Sequence, residues 1–238
     1  MKPTLAVRGL LLASTLLAAA NSAHAINLYW DIDDATPGAG GTTPSDIWTT
    51  DGKTWSTSPD GTVATSALTT TLLSDLFFSA GVNATGAYTI DLTTTQQARS
   101  LTFRSGTPTI GGDGVIDFGA TGSGIIRVNN LYTTSSPKGE VPINATIGNG
   151  TSTVIAGSVG LTKTGVGLLN LSSSAVHTFT GGLHVNGGTL NLNFANLADP
   201  TNMIDSGNAL SFGGGNLLGH HLRLHRLPRR HLVFLRHQ

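Results

Sequence analysis

The chain has 238 residues, 31 of them glycine, with 11% charged and 6% aromatic residues, no cysteine and a formal net charge of zero. So much glycine in a body crowded with Thr, Ser, Asn and Ala excludes a helical bundle and predicts many short strands. At 39% hydrophobic, with alternating apolar pairs throughout, the chain is not disordered, and without disulfides its framework must be backbone ladders.

At the start, Lys2 and Arg8 precede an apolar run over residues 9–20, and Ala23-His24-Ala25 follows as a small-x-small site. This is the layout of a Sec-type secretory signal, with cleavage expected after Ala25 and the signal spanning residues 1–25. The apolar run is too short to cross a bilayer core of ~30 Å as a helix. Residues 26–87 are expected to form an N-terminal cap region, because Trp30, Trp48 and Trp55 all fall there. Large rings at one end of a repeating stack cover open strand edges and the apolar stack beneath; a carbohydrate-stacking platform is the functional alternative. Asp31, Asp33 and Asp34 offer oxygen ligands for Ca²⁺, but the spaced glycine and closing glutamate of a known loop are missing, so a solvated acidic turn is expected. Leu72-Leu73 and Leu76-Phe77-Phe78 predict one or two buried strands or a short lateral turn.

From Tyr88 the pattern becomes regular. Tyr88 to Leu92, Leu101 to Phe103, Gly114 to Phe118, Ile125 to Val128, Ile143 to Ile147 and Val154-Ile155 alternate apolar and polar residues between turn signals. At roughly 20 to 25 residues per coil, as in other solenoids, residues 88–212 would make about five or six coils. The period is clearest over residues 160–192. There Leu161, Leu169 with Leu171, Phe179, Leu183 with Val185, and Leu190 with Leu192 are separated by Gly165, Gly167, Gly181-Gly182 and Asn186-Gly187-Gly188. Strands of two to four residues cannot bury a face alone and must stack on copies of themselves. Spacing alone would also allow a meander of hairpins.

This stretch resembles the autotransporter-associated β-strand repeat, the passenger-associated transport repeat of bacterial surface and secreted proteins. The matching residues are Gly160, Leu161, Thr162, Lys163, Gly165, Gly167, Leu169 and Leu171, then Phe179, Gly181, Gly182, Val185, Gly187, Gly188, Thr189 and Leu190. The resemblance implies an all-β fold, a right-handed parallel β-helix (β-solenoid) over residues 88–215, with a β-sandwich as the alternative. It further implies an exported passenger that acts as a structural stalk, whose repeat assists transport or display. A carbohydrate-binding or polysaccharide-degrading protein on a β-helix scaffold is the alternative function. Implied partners are outer-membrane translocation machinery or a missing C-terminal barrel, with any glycan or protein ligand unknown. The implied location is secreted or at the cell surface.

Other candidate chemistries are weaker. Gly111-Gly112-Asp113-Gly114 followed by Ile116 and Asp117 is similar to a calcium-binding nonapeptide, but the second aspartate comes one position late and only one copy exists. Asp113, Asp117 and Arg127 are the residues an enzyme would draw on, yet nothing pairs an acid with a base. His177 and His184 lack the further ligands a metal needs and read as corner polar residues. Asn83, Asn144 and Asn149 head sequons that a Thr-rich chain produces by chance. The sequence therefore predicts no catalytic residue, no cofactor and no metal. Residues 26–218 carry 6 Lys/Arg against 13 acids, a net charge of −7, which argues against nucleic acid as a partner.

The last segment, residues 216–238, changes character. From His220 onward it holds five of the eight histidines and five arginines, with no acid, Thr, Ser or Gly. His, Leu, Arg and Pro are what GC-rich codons for Thr, Ser, Ala and Pro become when read from the third base. The tail is accordingly expected to be frameshifted, disordered and outside the ladder.

Overall fold

The computed structural model describes residues 24–122, 124–129, 142–198, 202–220, 223–226 and 232–235. Residues 1–23, with most of the expected signal and Ala23, lie outside the described residues, and Ala25 is an exposed residue just before the first strand.

The chain winds into three stacked sheets. The first stacks Ile26–Trp30, Ser74–Phe78, Ser100–Phe103, Gly124–Val128, Leu161–Thr164, Leu183–Val185 and Leu210–Phe212 in parallel. The second stacks Asp46–Trp48, Ala87–Leu92, Thr107–Gly111, Asn144–Ile147, Leu168–Leu171, Thr189–Asn193 and Asn216–His220, also in parallel. A shorter third face carries Thr95–Gln97, Val115–Asp117 and Val154–Ala156, extended by a parallel bridge between His177 and Ile204. From Ser74 onward each coil visits the faces in the same order, which is the geometry of a parallel β-helix and sets the β-sandwich aside. Asp75 lies opposite Ser100 and Ser100 opposite Ile125, steps of 25 residues; Leu161 lies opposite Leu183, a step of 22.

Alternation decides which residues enter the core. On the first sheet one inward column runs Leu28, Leu76, Leu101, Ile126, Lys163 and Val185, all buried. On the second, Ile90, Ile110, Ile147, Leu171 and Leu192 form another. The apolar repeat positions Leu161, Leu169, Leu171, Phe179, Val185 and Leu190 are all buried. Fully burying a Leu or Phe is worth ~1.5 to 3 kcal/mol, so these columns carry the stability.

Two differences from the sequence reading concern the ends. The ladder does not wait for Tyr88: Ile26–Trp30 pairs in parallel with Ser74–Phe78, and Asp46–Trp48 with Ala87–Leu92. The first step, from Ile26 to its partner Ser74, is 48 residues, and this long excursion hides the pairing from a search for a 20 to 25 residue period. At the other end, Asn216–His220 pairs in parallel with Thr189–Asn193 instead of leaving the stack. Arg223–Arg226 and Leu232–Leu235 then pair antiparallel.

Candidate functional site

The repeat at residues 160–192 occupies two successive coils and the corner between its first and second sheets. Gly165 (φ +77°) and Gly188 (φ +61°) turn this corner in neighbouring coils. They must be glycine for space as well: a Cβ on Gly188 would lie 2.4 Å from the carbonyl oxygens of both Gly165 and Gly167. The corners therefore stack backbone on backbone, which leaves carbonyl groups converging beneath the turn. Lys163 answers them. Its stem fills an inward position between Ile126 and Val185, and its Nζ donates to the carbonyls of Thr164, Gly165 and Gly187, each at 2.9 Å. Burial pushes the ammonium down to about 8, while the three acceptors favour the charged form. The Gly187 bond ties one coil to the next, so Lys163 is a rivet between repeats. Thr162 faces outward on the same strand, half-buried beside His184.

Trp30, Trp48 and Trp55 are fully buried. They meet edge to face around Phe78: Trp30 to Trp55 at 5.4 Å, Trp48 to Trp55 at 5.6 Å and Trp48 to Phe78 at 5.8 Å between centroids. The antiparallel strand Trp55–Ser56 lies along Ile26–Trp30 at the end of the first sheet. None of these rings is available to stack on a sugar, which removes the carbohydrate platform. Sequence reasoning missed the outer aromatic group, where Tyr29 and Phe77 stack at 4.8 Å and the buried Arg104 guanidinium lies 5.1 Å and 5.4 Å from their rings. Tyr29 and Phe77 sit at paired outward positions one coil apart, a cross-strand signal visible only once the register is known.

The residues considered for enzyme chemistry do not come together. Asp113 accepts from the Ser152 hydroxyl, and Asp117 accepts from Gly119 N and Gln97 Nε2, so both carboxylates hold turns and neighbouring coils. Asp117 lies on the third sheet and Arg127 on the first. The histidines diverge as well. His184 is hydrogen-bonded to Ser211 on the outer face of the first sheet. His177 is not a corner residue: it is fully buried, Nδ1 accepts from Ile155 N, and burial pushes it down to about 4. The bond at Nδ1 fixes the neutral ring with its proton on Nε2.

The acidic turn differs most from expectation. Asp31 is fully buried, not solvated. Its carboxyl is pushed up to about 7, by burial first and then by contact with the Asp33 side chain, with the like charges of Asp33 and Asp34 adding. The cause is the fold of the 31–41 loop, where Ile32 N donates to Ala39 O and Gly38 N to Asp60 O, closing the loop over Asp31. Among the described residues no three His, Cys, Asp or Glu side chains form a metal set, and no helix is long and apolar enough to cross a membrane.

Over 229 residues the chain is 31% identical to the adhesin BmaC autotransporter of Brucella suis biovar 1 (strain 1330), an alignment covering 91% of this chain and 6% of that protein. The likeness relates the chain distantly to an autotransporter, of whose length it spans a small part. No family model matches the chain, and no solved structure matches it.

Proposed function

We propose that the chain is an exported passenger segment of an autotransporter-like surface or secreted protein, a β-solenoid stalk whose repeat at residues 160–192 assists transport or display. The observation that carries this reading is the unbroken parallel register from Ile26 to Asn216, running through a region similar to an autotransporter adhesin. Each coil presents the backbone edges of its first and second sheets to the next, so stepwise folding outside the cell would favour onward movement and oppose back-sliding. The Lys163 rivet and the stacked glycine corners make each added coil a fixed-geometry step. The partners of this reading are outer-membrane translocation machinery or a barrel in a longer protein, reached by way of a Sec-type signal at residues 1–25 with cleavage after Ala25. No enzymatic role is proposed, since the acids an enzyme would use are committed to turns and the large rings to the core.

The test is display. The full chain is fused ahead of an autotransporter barrel in a Gram-negative host, and surface exposure is read by protease shaving of intact cells. The chain should reach the surface, and deletion of residues 160–192 should slow its appearance. Retention of the intact chain in the periplasm, with the barrel inserted, would overturn the reading.

A further inference from the structure

We propose that Asp31, Asp33 and Thr54 form a Ca²⁺ site at the N-terminal end of the solenoid. Three side-chain oxygens there are buried without a hydrogen-bond partner: Asp31 Oδ2, Asp33 Oδ1 and Thr54 Oγ1. Asp31 is fully buried and Thr54 is 3% exposed. They are brought together by pairing. Trp30 lies opposite Trp55, and Asp31 N donates to Thr54 O at 3.1 Å, so Asp31 and Thr54 are directly opposed on antiparallel strands and project to one face. Asp33 N donates to Asp31 Oδ1 at 3.2 Å, which brings the next carboxylate round to the same corner and leaves Asp31 Oδ2 unused. Asp34 takes no part: in a left-handed conformation (φ +66°), it turns its Oδ1 to Thr65 N at 3.0 Å.

Two carboxylates and a hydroxyl gathered out of water need a positive partner. The donor set is all oxygen, with no nitrogen or sulfur, which selects a hard cation. An irregular turn suits the flexible coordination of Ca²⁺ better than the strict octahedron of Mg²⁺, and backbone carbonyls and water complete the shell. With only two carboxylates the site belongs to the weak class, on the order of 10⁻⁴ to 10⁻³ M, typical of extracellular modules. Its effect would be to pin the 31–41 loop to the strand that closes the stack.

The neighbouring Trp30 and Trp55 provide a readout independent of stability, since indole excitation sensitises Tb³⁺ bound close by. The full chain, stripped with EDTA, is titrated with Tb³⁺ and then with millimolar Ca²⁺, and its Tm is measured in both states. Tryptophan-sensitised emission should appear and be competed away by Ca²⁺, and Ca²⁺ should raise the Tm. Asp33→Asn and Thr54→Val should lose both responses, whereas Asp113→Asn, an exposed acid elsewhere, should keep them. Absence of sensitised emission overturns the proposal. So does a Ca²⁺ response undiminished in both Asp33→Asn and Thr54→Val, which would mark diffuse binding to surface acids, or an Asp31→Asn protein as stable as the wild type and a wild type indifferent to Ca²⁺, which would mark a shared proton.

Discussion

Replacing Lys163 by methionine removes the charge and the three hydrogen bonds while leaving an unbranched stem of similar volume between Ile126 and Val185. Hydrogen bonds to a charged group contribute about 1.5 to 3 kcal/mol each, so three of them give a gross 5 to 9 kcal/mol, on the order of what a buried ammonium requires. Burial lowers the Lys163 pKa from 10.5 to about 8, which corresponds to a desolvation cost of roughly 3 kcal/mol for the charge. Because the three bonds share one nitrogen they are not additive, and a net loss of about 2 to 4 kcal/mol is expected. The sign with pH is definite. Between about 8 and 10.5 the unfolded chain holds a proton that the folded lysine has released, so wild-type stability rises across that window. The methionine variant should lack this rise. Urea unfolding of both proteins at pH 7.5 and pH 10 measures it, and hydrogen exchange at the corner around Gly187 localises it. A variant as stable as wild type at the lower pH, with unchanged protection at that corner, would refute the role of Lys163 as a rivet.

Acidification should act through His177: its folded pKa of about 4 lies below the unfolded value of 6.5, so stability is complete above pH 6.5 and falls by roughly 3 kcal/mol as pH drops toward 4. His177→Asn, which keeps an acceptor for Ile155 N, should flatten that acid limb in a pH series of urea midpoints. Trp48→Ala should cost about 3 to 5 kcal/mol by opening a cavity against Trp55 and Phe78; near-UV circular dichroism should show the loss at the N-terminal end, while coils around residues 160–192 keep their exchange protection. Gly188→Ala should destabilise by more than ~1 kcal/mol, since it meets both a positive φ and two carbonyls at 2.4 Å; a thermal melt unchanged from wild type would show that the corners do not stack as described.

What the sequence revealed of this fold follows from what an inward position demands. Where the core column is apolar, as at Leu101, Ile126, Leu171 and Val185, the period of two exposes it directly. Polar residues in the same columns escape that search. Gln96 is buried opposite Ile116, with Nε2 donating to Thr94 Oγ1, and Lys163 and His177 are held by backbone groups. The partners of Gln96 and Lys163 come from the adjoining corner or the neighbouring coil, and His177 is held through Nδ1 alone with Nε2 buried and unpartnered, none of which a local pattern announces. Strand Thr107–Gly111 is similar: Pro108 and Ile110 point inward, but Pro and Gly at its ends read as turn residues. Trp30, expected as part of a cap, lies on a strand of the parallel ladder, where Ile26–Trp30 pairs with Ser74–Phe78. The acidic turn departs from its pattern for the opposite reason. Charge in a sequence implies solvent, and only the closure of the 31–41 loop reveals that Asp31 is covered. The segment from Asn216 carries the point furthest. Its composition changes from His220 onward, and Asn216 to Gly219, still Asn, Leu and Gly like the coils before, takes with His220 the register offered by Thr189 to Asn193. A parallel ladder is offered by backbone N–H and C=O groups, which every residue but proline supplies in full. Side-chain composition therefore decides what a coil can bury, with Leu217 opposite Leu190 packing on the core and Leu218 opposite Asn191 facing outward, and not whether one more strand can pair.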